Sequence, residues 1–323
     1  MHCWPPVPTR VRCATRRCWM RSDASATWLL VAALALGCLA PVRPASAGEL
    51  RPLIVATYAY PGRDRAAAIQ PLADYLARLG GRSAEVRLFD SPSALVEAMR
   101  SGEADIAVPN LHGFLQARQW PEQLAPLPVP EVPSVQADRY RAVIVARDGI
   151  DSLDALRREA PRLALVMVGR DSASGGFVPA RGLRDMGLDP ATGFASLAYA
   201  GSHAAALQVV EAGEADVAAL ASDVHDRSRP EGLGVLWRSG PIPPGPLLCR
   251  VAHDVPCARI ADWLLQSHAQ DAAVMAGLRD GWPEFGDADR FRQADVAGLD
   301  LLRAAIDGST AGQPETRTSR SAP

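Results

Sequence analysis

From residue 51 onward, short apolar runs alternate with longer stretches in which apolar residues recur every three or four positions. "RPLIVATYAY" reads as a β-strand. "AAAIQPLADYLARLGG" carries helical spacing and stops at Gly80-Gly81. "AEVRLFD" is the next strand. "SPSALVEAMRSG" is a helix with Ser91 as N-cap, Pro92 at its first position and Gly102 as its stop. "ADIAVPN" is a third strand. This β-α-β-α-β order predicts an α/β chain built on mainly parallel sheets flanked by helices.

The pattern then recurs. "ALVEAMRSGEADIA" (94–107) reads against "ALQVVEAGEADVA" (206–218): a helix, a glycine stop, Glu-Ala-Asp, then an apolar strand. Shared α/β grammar gives one such match; so do two similar lobes. In open α/β sheets, ligands bind beyond the carboxyl ends of the strands, where helix N-termini point. Two lobes facing each other therefore make a cleft lined from both sides. Two proline-flanked extended segments, 133–149 and 232–255, read as crossings between lobes. The expected domains are residues 48–140 plus 240–307 for the first lobe and 141–239 for the second. The helices "CARIADWLLQSHAQ" and "DAAVMAGLRDGW" pack back on the first.

The N-terminal stretch stands outside this pattern. "WLLVAALALGCLAPV" follows arginines and precedes "PASAGEL", the charged, apolar, small-residue order of a secretory signal. Ala45 and Ala47 form an A-x-A site, so residues 1–47 are expected to be removed. Translation from Met20 and lipidation at Cys38 are alternatives. The tail 308–323 has no core-forming residues and reads as disordered.

Composition narrows the partners. Without residues 1–47, which hold six arginines and Asp23, 28 arginines face 35 acidic residues. An acidic exported protein is a poor match for nucleic acid. No lysine occurs; all 34 basic residues are arginine. Only Cys249 and Cys257 fall in the body, paired or as two free thiols, and no metal-binding spacing accompanies them. No metal or cofactor is expected.

The candidate chemistry sits at strand-to-helix turns. "GRDSASGGFVPARGL" follows the apolar "LALVMV", placing Ser172, Ala173, Ser174 and Gly175 at a helix start. Unpaired amides and the helix dipole favour an anion there, and both serines can donate hydroxyl hydrogen bonds. Capping alone also explains a serine-rich turn. "GSHAAAL" puts Ser202 and His203 at a similar turn, where a charged imidazole is disfavoured; a neutral ring or a bound anion is expected. The first half offers Tyr58 and Tyr60, then Asn110, His112 and Phe114, at matching strand ends. The tyrosines either close over a ligand or pack. A rival reading casts Ser174, His203 and Asp223 as a hydrolase triad, because "SASGG" is a distorted G-x-S-x-G. The chain order and the missing oxyanion segment argue against it.

These stretches, in this order, resemble the PhnD-type family: the phosphate, phosphite and phosphonate substrate-binding subunits of ABC transporters, with the two-lobed type 2 periplasmic-binding fold. The carrying segments are "PLADYLARLGG", "GEADIAVPNLHGFLQA", "SASGGFVP", "GSHAAALQVVEAGEADVAALASD" and "SGPIPPGP". The resemblance implies that the 172–175 turn clasps phosphoryl oxygens and that His203 bonds the same group. It places Ser222 beside a position that is acidic or amide-bearing in relatives, and Tyr58 and Tyr60 near a first-lobe aromatic contact. Ala173, Ala221, Phe114 and Gly245 depart from the pattern. Gly245 stands where amine-binding relatives offer a carboxylate, so a small oxyanion is favoured over an aminophosphonate. The implied protein is a periplasmic monomer without enzymatic activity. It delivers a small anion to an inner-membrane permease; a sensor role with a receptor kinase is the alternative.

Overall fold

The computed structural model describes residues 50–308. The expected signal segment, Cys38 and, apart from Gly308, the C-terminal tail lie outside the described residues. Two five-stranded sheets organise the rest. The first runs Ala84–Phe89, Leu53–Tyr58, Ile106–Ala107, Leu248–Arg250, Leu124–Pro126. The second runs Leu233–Arg238, Ala142–Arg147, Val217–Ala221, Ala164–Met167, Ser196–Tyr199.

Four strands in each sheet point the same way. The exceptions are Leu248–Arg250, antiparallel to both neighbours in the first sheet, and Ala142–Arg147, antiparallel to both in the second. These two strands adjoin the segments where the chain passes between sheets. There, Ser239 N donates to Ala142 O at 2.9 Å and Ile242 N to Tyr140 O at 2.9 Å, so the two crossings run side by side.

Local signals explain the element ends. The helix Pro92–Ser101 is capped by Ser91, whose side chain accepts from Ala94 N, and Gly102 closes it at φ 85°. The internal repeat also has a physical basis. Asp105, fully buried, accepts from Ile54 N at 3.0 Å, and Asp216 accepts from Ala164 N at 2.8 Å. Each aspartate therefore ties the helix-strand unit that carries it to the neighbouring strand of its own sheet. Each is also neutralised by arginine: Asp105 by Arg51 and Arg250, Asp216 by Arg147.

Packing follows the sheets. The helix Arg65–Gly80 buries Ile69, Leu72 and Tyr75 against Leu278, Trp282 and Phe285. Both faces of the second sheet are covered, one by Leu156 and Leu183, the other by Leu207 and Val210. Burial on both faces explains the continuously apolar strands. Cys249 and Cys257, left open by the sequence, form a disulfide with Cα atoms 5.8 Å apart. No helix among the described residues is long and apolar enough to cross a membrane.

Candidate functional site

A cavity of about 840 Å³ opens between the two sheets. Of the residues singled out from sequence, Tyr58, Tyr60, Asn110, Ser172, Ala173 and His203 line it. Ser174 lies just behind the wall, only 1% exposed.

The strand Ala164–Met167 ends in a turn that enters a π-helical segment, Ala173–Phe177, before the α-helix Val178–Asp185. Ser172 caps this start: its hydroxyl accepts from Gly175 N at 3.1 Å and keeps its own proton to donate. Val168 N donates to Gly175 O at 2.8 Å, folding the turn back on the strand end. A Cβ at Gly175 would overlap the Val168 side chain and come within 2.9 Å of His203 Cε1. Glycine is what lets the imidazole lie on this backbone. Gly175 itself supports the cavity from outside its lining.

His203 is the first residue of the helix His203–Glu211, which Ser202 caps. Its Nδ1 accepts the Ala221 amide at 3.0 Å. A ring nitrogen that accepts an N–H carries no proton, so the neutral ring holds its hydrogen on Nε2. Nε2 lies 3.4 Å from Ser174 Oγ, which is 2.7 Å from the Tyr140 hydroxyl. Burial, with Arg63 and Arg65 adding to it, pulls the His203 pKa down to about 4, against a smaller opposing effect of Asp223. The neutral ring expected at a helix start is thus favoured by its surroundings.

The phenols are also held protonated. Burial pushes Tyr58 up to about 12 and raises Tyr60 and Tyr140 as well. Tyr60 OH accepts from His203 N at 3.1 Å, joining the first strand's end to the second sheet's helix. Nearby, Asn110 Nδ2 donates to Asp171 O at 2.8 Å and Ser93 N to the Asp171 carboxylate at 3.3 Å. Asn110 therefore clamps the two walls together. The site's neutral donors converge on one region; among the described residues no group of three His, Cys, Asp or Glu could hold a metal ion.

Three sequence candidates are placed elsewhere. Phe114 is fully buried in the core behind the first sheet. His112 packs against Phe177, ring centroids 4.5 Å apart and the planes tilted by 33°. Ser222 is buried, its hydroxyl donating to Arg139 O at 3.2 Å. Gly245 does not line the cavity either; a Cβ there would stand 2.8 Å from Asn110 O. That glycine serves close packing against the Asn110 turn.

The sequence reading missed Tyr140, Arg65 and Glu284. Arg65 is 4% exposed, and its guanidinium carbon sits 4.1 Å from the Tyr58 ring centroid, 4.6 Å from that of Trp282 and 5.0 Å from that of Tyr60. Glu284 comes from the short 3₁₀ turn Pro283–Phe285, distant in sequence, and burial raises its pKa against the pull of Arg65.

Comparison with known proteins agrees with this architecture. No curated protein sequence matches. Among solved structures, a Xanthomonas citri protein bound to chloride ion is 22% identical with TM-score 0.65, covering 80% of this chain and 98% of its own. A binding protein component of an ABC phosphonate transporter from Pseudomonas aeruginosa is 19% identical with TM-score 0.61, covering 81% and 90%. PhnD1 from Prochlorococcus marinus, in complex with methylphosphonate, is 16% identical with TM-score 0.62, covering 80% and 98%. These likenesses establish the two-lobed type 2 periplasmic-binding fold. A family model described as ABC transporter, phosphonate, periplasmic substrate-binding protein matches residues 55–291, and the chain belongs to that family.

Proposed function

We propose that this protein captures a small phosphorus oxyanion (phosphite, phosphate or a phosphonate) in the periplasm and presents it to an inner-membrane ABC permease. One observation carries the reading: a neutral histidine with its proton on Nε2, a serine pair and protonated tyrosines converge where a helix begins. Such a set donates hydrogen bonds to an oxyanion. The amides of Ala173 and Ser174, which the Gly175 N–Ser172 Oγ and Ser172 N–Gly169 O bonds leave free, the hydroxyls of Ser172 and Ser174, and His203 Nε2–H are the proposed ligand contacts. Tyr58, Tyr60 and Asn110 close on it from the first sheet.

The lobes are taken as 48–140 plus 240–307 and 141–239, bending where the crossings run side by side. Closure of the lobes, not chemistry, is then the signal to the permease. Export through a signal cleaved after Ala47 places the protein beside that permease. A hydrolase reading fits the geometry poorly. A serine triad needs Nδ1–H donating to a carboxylate, whereas His203 Nδ1 accepts a backbone amide.

The test is thermal unfolding of ligand-stripped protein with phosphate, phosphite, methylphosphonate, 2-aminoethylphosphonate and sulfate. A ligand at about 100 times its Kd adds about 2.7 kcal/mol of stability. Stabilisation by a phosphorus oxyanion and not by sulfate supports the reading. No shift with any phosphorus compound sinks it.

A further inference from the structure

The proposed phosphoryl contacts use one end of a cavity of about 840 Å³. A water takes about 30 Å³ of liquid volume, so a bare tetrahedral anion, equivalent to a few waters, leaves most of that space for something else. The remaining wall is not merely apolar. It includes Arg65, 4% exposed, with its guanidinium against three aromatic rings. Arg65 Nε donates to Gly281 O at 3.2 Å, while Nη1 is buried with no hydrogen-bond partner. A buried cation with an idle donor is costly unless something arrives to pair it. Glu284, 9% exposed, lines the same wall, and no ion pair forms between it and Arg65. The ring of Tyr60 links the two ends, 5.0 Å from Arg65 Cζ and 6.2 Å from the His203 ring.

We propose that Arg65, with Glu284 beside it, forms a second subsite that takes a carboxylate at the far end of the ligand, making short carboxyalkylphosphonates the favoured class. The inference rests on the phosphorus-oxyanion reading above and names its substrate more narrowly. The guanidinium supplies charge and a planar pair of donors to a carboxylate. Burial raises the Glu284 pKa against the pull of Arg65, which lessens its repulsion of an arriving carboxylate. On the other wall Asp223 is already occupied through one oxygen by Arg227, at 2.7 Å, and its Oδ1 is buried without a partner. That unpaired oxygen is the feature an amine would use, and the experiment includes an amine for that reason.

Calorimetric titration of the purified protein with methylphosphonate, phosphonoacetate, 3-phosphonopropionate and 2-aminoethylphosphonate tests the subsite. The expected result is a carboxyalkylphosphonate binding about tenfold or more tighter than methylphosphonate. Arg65→Met removes that advantage, lowering carboxyalkylphosphonate affinity by more than it lowers methylphosphonate affinity. Arg65→Lys, which keeps the charge and loses the fork, retains only part of the advantage and covers the case in which Arg65→Met does not fold. Three results overturn the subsite while sparing the parent reading: no advantage for the carboxylates, tightest binding of the aminophosphonate, or equal losses for all ligands in the Arg65 variants. Failure of every phosphorus ligand to bind the wild type overturns both.

Discussion

The Ala221 amide donates to His203 Nδ1 at 3.0 Å, and this one bond decides what the histidine can do. It leaves Nε2 as the donor and keeps the ring neutral. Protonation of Nδ1 would set two N–H groups against each other. The His203 pKa, lowered from 6.5 to about 4, puts the consequence on a pH scale. The unfolded chain binds a proton there before the folded one does. The histidine's contribution to stability is therefore complete above about pH 6.5 and is lost as pH falls toward 4. Denaturant melts across this range should show that loss, and His203→Gln should reduce it. NMR of the imidazole nitrogens at pH 7 should report the neutral ring with hydrogen on Nε2. A charged ring at pH 7 would contradict the arrangement.

Ser174 stands between His203 and Tyr140, so its substitutions separate charge from hydrogen bonding. Ser174→Asp places a like charge against the oxyanion and should abolish binding. Ser174→Ala removes one donor and leaves the site neutral, costing about 1–1.5 kcal/mol, or roughly tenfold in Kd. Tyr140→Phe and Ser174→Ala should be non-additive in a double-mutant cycle, because both break the same 2.7 Å contact. Unchanged affinity in Ser174→Asp would remove the 172–175 turn from the site.

Gly175 tests the backbone in place of the side chains. Gly175→Ala drives a methyl group into Val168 and to within 2.9 Å of His203 Cε1, with no room for either to move far. The expected cost is about 1–3 kcal/mol of stability, read as a drop in Tm, together with weakened anion binding as the histidine is displaced. A variant with wild-type Tm would mean that the turn is looser than its packing indicates.

Much of this was legible in the sequence, for reasons that are local. Ser91, Pro92 and Gly102 announce their helix because capping needs only neighbouring residues. The Glu-Ala-Asp repeat holds because Asp105 and Asp216 each bond the first residues of an adjacent strand, a task that recurs with the fold. The same reasoning placed Ser172 and His203 on the cavity. It misplaced Phe114, whose position in the seven-residue helix Leu111–Ala117 turns it into the core. It missed Arg65 and Glu284, since a buried arginine is indistinguishable in sequence from 33 others, and the 3₁₀ turn carrying Glu284 reaches the cavity only through tertiary packing. Tyr140 was hidden in a crossing segment, where no periodicity marks a functional side chain.

Tyr60 offers a final and separable prediction, because its contact spans the cleft. Its hydroxyl accepts from His203 N at 3.1 Å, and its ring stands 6.2 Å from the imidazole. Tyr60→Phe keeps the ring and deletes only the hydroxyl. The lobe cores do not use that oxygen, so Tm without ligand should change little. Closure does use it, so affinity for the anion should fall by about 1 kcal/mol, roughly fivefold. Scattering from the ligand-free variant should also shift toward a larger radius, since one bond joining the two walls is lost. The remaining ties, Asn110 and Ser93 to Asp171 and Tyr140 to Ser174, would still permit closure once ligand is bound. The bound variant should therefore regain the wild-type radius. A variant that stays extended with ligand would make the Tyr60 hydroxyl indispensable to closure and not one contributor among four.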